Sequence, residues 1–283
     1  MSLSTYHCHT TFCDGRDTPE NMVIAAINSG MTDIGFSAHA MWPFATEWHL
    51  GAKRYGEYLA EINRLKSAYD GRINIFAGFE VDYLRGVSAP DPAVYGRFKP
   101  DYLIGSVHYV RPASGRDSEG LWSTDAPTDE VRRGLDACFG GDGKRAIQAY
   151  WAAVREMATD CRFDIIGHLD VIRKRNGDLR FFDESAAWYR AELKATAKSV
   201  AKSGKIVELN TGGNARKAID SIYPSDELLA LLGKHGVPIT LCSDAHSAAD
   251  LTCAYDRARA AARKAGFTTL SRLTATGWIQ EAF

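Results

Sequence analysis

The chain has 283 residues, 45% of them hydrophobic, with 25 Gly and 9 Pro, so it can bury a large core and is neither disordered nor collagen-like. Its 34 Lys and Arg against 35 Asp and Glu give a formal charge of −1, without the clustered basic face that releases counterions from a nucleic-acid backbone, so no long nucleic acid is expected as a partner. No stretch approaches the roughly 20 apolar residues of a membrane span, and Met1 to Tyr6 lacks the charged and apolar regions of a secretory signal, so a cytoplasmic protein with no membrane partner is expected.

Apolar, β-branched runs alternate with amphipathic stretches, the pattern of parallel strands joined by crossover helices. Seven strands are expected, near 3–9, 32–38, 73–80, 101–108, 163–168, 205–210 and 237–243. Between the first two, Thr18 can cap a helix with Pro19 in its first turn, Met22, Val23, Ala26 and Ile27 on its apolar face and Gly30 at its end. Further helices are expected over 55–69, 145–159, 184–203, 225–234 and 248–265. Segment 109–142 is rich in Pro and Gly and reads as a long loop insertion, a lid or an edge of a pocket, within a single domain spanning 1–283. The six cysteines form no Cys-x-x-Cys pair, which argues against a disulfide framework or a zinc finger.

Of eight histidines, six (His7, His9, His39, His108, His168 and His246) sit at or just beyond the end of an expected strand. Glu80 ends the third strand and Asp244 follows the seventh. Strand ends of a parallel barrel share one face, where active sites are found. So many imidazoles and carboxylates crowded together would cost several kcal/mol without cations to compensate, so a metal site is expected. In His7-x-His9 the two rings lie at i and i+2 on an extended chain, so both point one way while Cys8 points the other. Asp244 and His246 repeat that spacing. The turn Asp14-Gly15 can fold a carboxylate over the site, with Asp17 competing for that role. His49 and His235, away from strand ends, read as ordinary surface or helix histidines.

His7-x-His9-Thr10 with Asp14-Gly15, the lone His39, Glu80-x-Asp82, Gly105-Ser106-Val107-His108, Gly167-His168-Leu169-Asp170 and Ser243-Asp244-Ala245-His246 together resemble the ordered motifs of the polymerase and histidinol phosphatase superfamily. Gly167 to Arg173, Glu208 to Gly213, Tyr223-Pro224-Ser225 and Pro238 to His246 resemble its histidinol-phosphatase branch in particular. One departure is the loop Phe12 to Asp17, where that branch commonly carries a histidine and this chain carries aspartates.

The resemblance implies a distorted (β/α)7, TIM-like barrel with three divalent cations, zinc, iron or manganese, at the C-terminal ends of its strands. It implies one cation on His7, His9, Glu80 and Asp244, a second on Glu80, His108 and His168, and a third on Asp14, His39 and His246. Glu80 would bridge the first two, and Glu80, Asp244 and His246 would carry catalysis. Metal-activated water would hydrolyse a small phosphate monoester, in this branch L-histidinol phosphate to L-histidinol and phosphate in histidine biosynthesis. A phosphoesterase acting on nucleotides or oligonucleotide ends, or a catalytically silent metal-stabilised interaction module, are the alternatives. Arg173 and Arg216 follow strand ends and can offer planar forks to the phosphate. Asp170 is expected to orient His168 or a neighbouring ligand, and Trp42, Phe44 and Trp48 to wall a pocket for an imidazole ring.

Overall fold

The structure, a computed structural model, describes residues 2–112 and 120–283. In chain order its elements are β1 (Ser4–Thr5), α1 (Pro19–Asn28), β2 (Asp33–Ala40), α2 (Tyr55–Ala68), β3 (Asn74–Asp82), α3 (Pro92–Tyr95), β4 (Tyr102–Ser106), β5 (Tyr109–Val110), β6 (Trp122–Ser123), α4 (Thr128–Phe139), α5 (Gly143–Asp160) and β7 (Ile165–Ile166). There follow α6 (Asn176–Leu179), α7 (Ala187–Ser203), β8 (Ile206–Asn210), α8 (Gly212–Ala215), α9 (Asp226–Lys234), β9 (Ile239–Cys242), α10 (Tyr255–Lys264), β10 (Thr269–Thr274) and β11 (Gly277–Ala282).

Seven strands pair in the order β1-β2-β3-β4-β7-β8-β9, every pair parallel. Beyond β1 and β9 a parallel bridge joins Cys8 to Ala245, with the His9 N–H donating to the Ala245 carbonyl at 2.9 Å. The sheet is thereby a nearly closed barrel, the α/β architecture expected from the sequence. The crossover helices form because each offers one apolar stripe to the outside of the sheet. In α1 the Thr18 hydroxyl accepts from the Asn21 N–H, Pro19 occupies the first turn, and Met22, Val23 and Ala26 are buried. In α5 the Asp142 carboxylate caps the Arg145 N–H, and Ile147, Tyr150, Trp151, Val154 and Met157 are buried.

The antiparallel hairpin of β10 and β11 follows the barrel and contributes Leu273 and Trp278 to a cluster with Tyr6, Tyr102, Ile104, Ile165, Ile206 and Cys242. The sequence reading did not contain this hairpin.

Three other readings need correction. Segment 109–142 is no plain loop: β5 and β6 pair, and α4 buries Val131, Leu135 and Phe139 at intervals of four before Gly140, at φ +63°, ends it. Residues 113–119 of that segment lie outside the described residues. The last crossover helix begins at Tyr255 rather than at 248, since Ala254 takes a left-handed φ of +56° and breaks it from the short turn at Ala248–Asp250. Ladder pairing in β1 stops at Thr5, so His7 and His9 stand on an extension held by the Cys8–Ala245 bridge.

Candidate metal centre and active site

Strand register assembles the site. The β2–β3 ladder pairs His39 with Glu80, and the β3–β4 ladder pairs Asp82 with Ser106, two residues before His108. The Cys8–Ala245 bridge brings His7 and His9 against Asp244 and His246.

Glu80 is at the centre. Its Oε2 lies 2.8 Å from His39 Nδ1, 3.1 Å from His7 Nε2 and 3.5 Å from His9 Nε2. Its Oε1 lies 2.9 Å from His168 Nε2 and accepts from the Ser106 hydroxyl at 2.6 Å. His108 Nε2 is 3.1 Å from His168 Nε2. Asp244 Oδ1 stands 3.3 Å from His9 Nε2 and 3.7 Å from His7 Nε2. Asp14 spans the outer side, with Oδ2 3.1 Å from His246 Nε2 and Oδ1 3.6 Å from His39 Nε2. Two glycines permit this closeness. A Cβ on Gly15 would lie 2.4 Å from the His9 and Thr10 backbone, and one on Gly212 would lie 2.6 Å from Asp244 Oδ2.

The imidazoles are oriented from behind by acids. His7 Nδ1 bonds Glu208 Oε2 at 2.9 Å, and the same carboxylate accepts from the His168 N–H and the Asn210 amide at 2.6 and 2.7 Å. His108 Nδ1 bonds Asp82 Oδ1 at 2.7 Å. Asp82 Oδ2 in turn accepts from His49 Nε2 at 2.6 Å, since the Thr46 N–H donates to His49 Nδ1 and so leaves the proton on Nε2. A carboxylate on the far ring nitrogen fixes tautomer and direction, the arrangement that supports metal-ligating histidines.

The electrostatics are those of a charge cluster. Burial opposes charge on Glu80 and Asp244, yet the surrounding histidines, with Arg216 for Asp244, hold both carboxyls well below the usual range. Burial also disfavours charge on His7, but Glu208, Glu80 and Asp244 raise it well above an ordinary imidazole. Against burial, Asp82 and Glu80 raise His108 to about 10. Burial lowers His9 to about 3, helped by His39 and His246. In the midst of this, His7 Nε2, His9 Nε2, His39 Nδ1 and Glu80 Oε2 are buried with no hydrogen-bond partner. Four converging donor atoms without partners suit cations, which would replace the missing hydrogen bonds. Groups of three or four ligand atoms within 4.8 Å of one another recur across the cluster: His9, Asp14, His39 and His246; His7, His168 and Asp244; His7, His9 and Glu80; His39, Glu80 and His108.

All nine candidate ligands converge. The choice between Asp14 and Asp17 falls geometrically on Asp14, because Asp17 Oδ2 instead accepts from the Ala248 N–H at 2.8 Å. Arg216 lines the same cavity, of about 540 Å³. It donates to the Asp244 carbonyl and Oδ2, each at 2.8 Å, and so holds Asp244 at its left-handed φ of +48°, with its Nη1 2.7 Å from His246 Nδ1.

Other expectations are corrected. Arg173 lines a separate groove, where it is committed to Glu184 at 2.7 Å and Asp170 at 3.6 Å. Asp170 accepts from the Ser225 N–H at 2.8 Å and makes no hydrogen bond to His168, because the chain turns away into a 3-10 turn at Val171–Arg173. His49 is no surface histidine but a buried partner of Asp82. Of the three aromatic residues, Trp48 lines the cavity, its ring 4.6 Å from that of His39, whereas Trp42 packs on Tyr55 and Phe98 and Phe44 is exposed. The sequence reading also passed over the orienting role of Glu208. Its signal was an acid two residues before Asn210 on an otherwise apolar strand, where only an inward-facing partner could satisfy it.

A parallel barrel with a histidine–carboxylate cluster that could hold metal at its C-terminal strand ends defines a class of metal-dependent enzyme. The chain belongs to the PHP domain family, whose model matches residues 5–212. A Deinococcus radiodurans protein named "Probable histidinol-phosphatase" is 31% identical over 247 residues, 86% of either chain. In fold, the chain is similar to hisK of Listeria monocytogenes, with a TM-score of 0.78 at 22% identity over 90% of this chain and 99% of that one. It is also similar to histidinol phosphate phosphatase of Lactococcus lactis, solved with Zn, L-histidinol and phosphate, with a TM-score of 0.69 at 23% identity over 98% of both chains.

Proposed function

We propose that the protein is a metal-dependent phosphomonoesterase that hydrolyses L-histidinol phosphate to L-histidinol and phosphate, the whole chain acting as one barrel domain. The observation that carries the metal dependence is the meeting of four unpartnered buried donor atoms at Glu80. The names of the relatives and the bound molecules of the Lactococcus lactis structure support the substrate.

In this reading His7, His9, Glu80 and Asp244 hold one cation, Glu80, His108 and His168 a second, and Asp14, His39 and His246 a third. Zinc, iron and manganese all suit imidazole and carboxylate donors, and the zinc of the Lactococcus lactis structure favours the first. Bound there, divalent cations would supply the Lewis acidity that activates water and spreads phosphoryl charge. The chain's own residues do the positioning. Glu208 and Asp82 aim His7 and His108, and Arg216 fixes Asp244. Two of the five guanidinium N–H groups of Arg216 are used on Asp244, and others can serve a phosphate oxygen.

Phosphate release from L-histidinol phosphate, compared with nucleoside monophosphates and a 3′-phosphorylated oligonucleotide, tests the proposal. The expected result is a kcat/KM for L-histidinol phosphate at least about tenfold above the others, a difference of roughly 1.4 kcal/mol. Preference for a nucleotide, or no turnover of any ester by protein whose metal content is measured, would overturn it.

A further inference from the structure

The cavity in front of the metal cluster carries more acidic side chains than the proposed metal ligands account for. Besides the ligand carboxylates, Glu47, Asp125 and Glu130 line it, against the cations Lys174 and Arg216. Arg216 is tied to Asp244 and Lys174 to Asp125, whose Oδ2 is 2.9 Å from the ammonium. Cations in the cluster would balance the ligand carboxylates and the phosphate, so the three further carboxylates face the rest of the substrate and favour a positively charged group there.

Asp125 is placed with care. Its neighbour Thr124 donates its N–H to the His108 carbonyl at 2.8 Å, which ties the segment to a metal-ligand strand end. On the other side, Arg175 Nε donates to the Ala126 carbonyl at 2.8 Å. Asp125 is thus clamped at the cavity wall by its backbone, while Lys174 is the sole hydrogen-bond donor to its carboxylate among the described residues. The side chains of Asp125 and Lys174 are only 24% and 13% exposed, so the pair is largely withdrawn from water. Despite burial, Lys174 holds the Asp125 carboxyl well below its usual range, so it is ionised.

We propose that Asp125 is the specificity-determining residue of the cavity: it binds the positively charged part of the substrate, and Lys174 is the internal counter-ion that this cation displaces. The inference rests on the phosphomonoesterase reading and deepens it, since an amino-alcohol phosphate bearing an imidazole carries an ammonium at one end and, when protonated, an imidazolium at the other. Either cation offers N–H donors to a carboxylate, a charge-assisted bond of the strong class. Lys174, freed from Asp125, keeps its charge inside the cavity, where the phosphate brings compensating negative charge.

The test measures kcat/KM of the metal-loaded enzyme and of its Asp125→Asn variant on four monoesters: L-histidinol phosphate, 2-aminoethyl phosphate, 2-(imidazol-4-yl)ethyl phosphate and propyl phosphate. Wild type is expected to prefer the cation-bearing esters to propyl phosphate. Asp125→Asn should lower that preference about 10- to 100-fold, through KM rather than kcat, while propyl phosphate does not fall with it. Whichever of the two singly cationic esters loses its advantage identifies the cation that Asp125 reads. Lys174→Met, which removes the competing ammonium, should lower KM for the preferred ester.

An equal fall for all four esters would make Asp125 a structural residue, and an unchanged preference would remove it from recognition; either result overturns the proposal, as does a wild-type enzyme indifferent to substrate charge. A wild-type enzyme that prefers cationic esters but turns over L-histidinol phosphate no better than 2-aminoethyl phosphate would instead contradict the substrate assigned above while leaving Asp125 in place.

Discussion

The two ends of the barrel treat their buried polar side chains in opposite ways. At the hairpin end, polar atoms find protein partners: the Tyr102 hydroxyl donates to the Tyr6 and Phe36 carbonyls, the Leu273 N–H donates to the Tyr6 hydroxyl, and Arg272 grips Asp33 at 2.8 and 3.1 Å. At the other end, nine candidate imidazole and carboxylate ligands crowd together and five of their buried atoms, His168 Nδ1 among them, lack a partner. Stability at the hairpin end is therefore intrinsic. At the strand C-termini the proposed cations would supply it, since their binding free energy would add to folding.

Stripping the cations should expose this difference most strongly. Glu80→Gln removes a negative charge that lies within 3.6 Å of five histidines. It should lower kcat by at least about a hundredfold, an effect of roughly 2.7 kcal/mol. Near-normal turnover with a full metal complement would remove Glu80 from its central place. Arg216→Ala should lower kcat/KM about 10- to 100-fold, because it frees Asp244 and removes a phosphate donor together. Arg216→Lys should recover only part, since one ammonium cannot replace the fork.

The metal-free protein should also show a pH dependence that the loaded one lacks. His108, raised to about 10, contributes stability that is fully present below its unfolded value near 6.5 and is lost as pH rises through the folded value. Thermal unfolding in excess chelator should therefore fall between pH 6.5 and 10. A flat profile would mean that His108 is neutral. At the hairpin end, Tyr102→Phe should cost about 1–3 kcal/mol in stability and leave kcat within about twofold. Arg173→Ala, in its separate groove, should change KM least of all, and a tenfold rise would return it to the substrate site.

Much of the site was legible because its signal was local. His7-x-His9, Glu80 and Asp244-x-His246 sit at strand ends, and in a parallel barrel strand ends share a face whatever the helices do. Asp170 and Arg173 were misplaced because their position depends on the short turn after Leu169, which no apolar period encodes. The Asp82–His49 contact links residues 33 apart through a loop, so His49 carried no strand-end signal to find it by. Helix α4 was missed for another reason. Flanking glycines and prolines give the segment the composition of a loop, although the spacing of Val131, Leu135 and Phe139 is helical. The hairpin of β10 and β11 carries Thr and Leu in an alternation too short to stand out against the preceding helix.

The most direct measurement is phosphate release from L-histidinol phosphate by protein stripped of metal, verified by elemental analysis, and then titrated with zinc, manganese or ferrous ion. Turnover should be absent in the stripped protein and should return with added cation, reaching its plateau only after more than one equivalent per chain. Full turnover by verifiably metal-free protein would contradict the assignment of the histidine–carboxylate cluster as the catalytic centre.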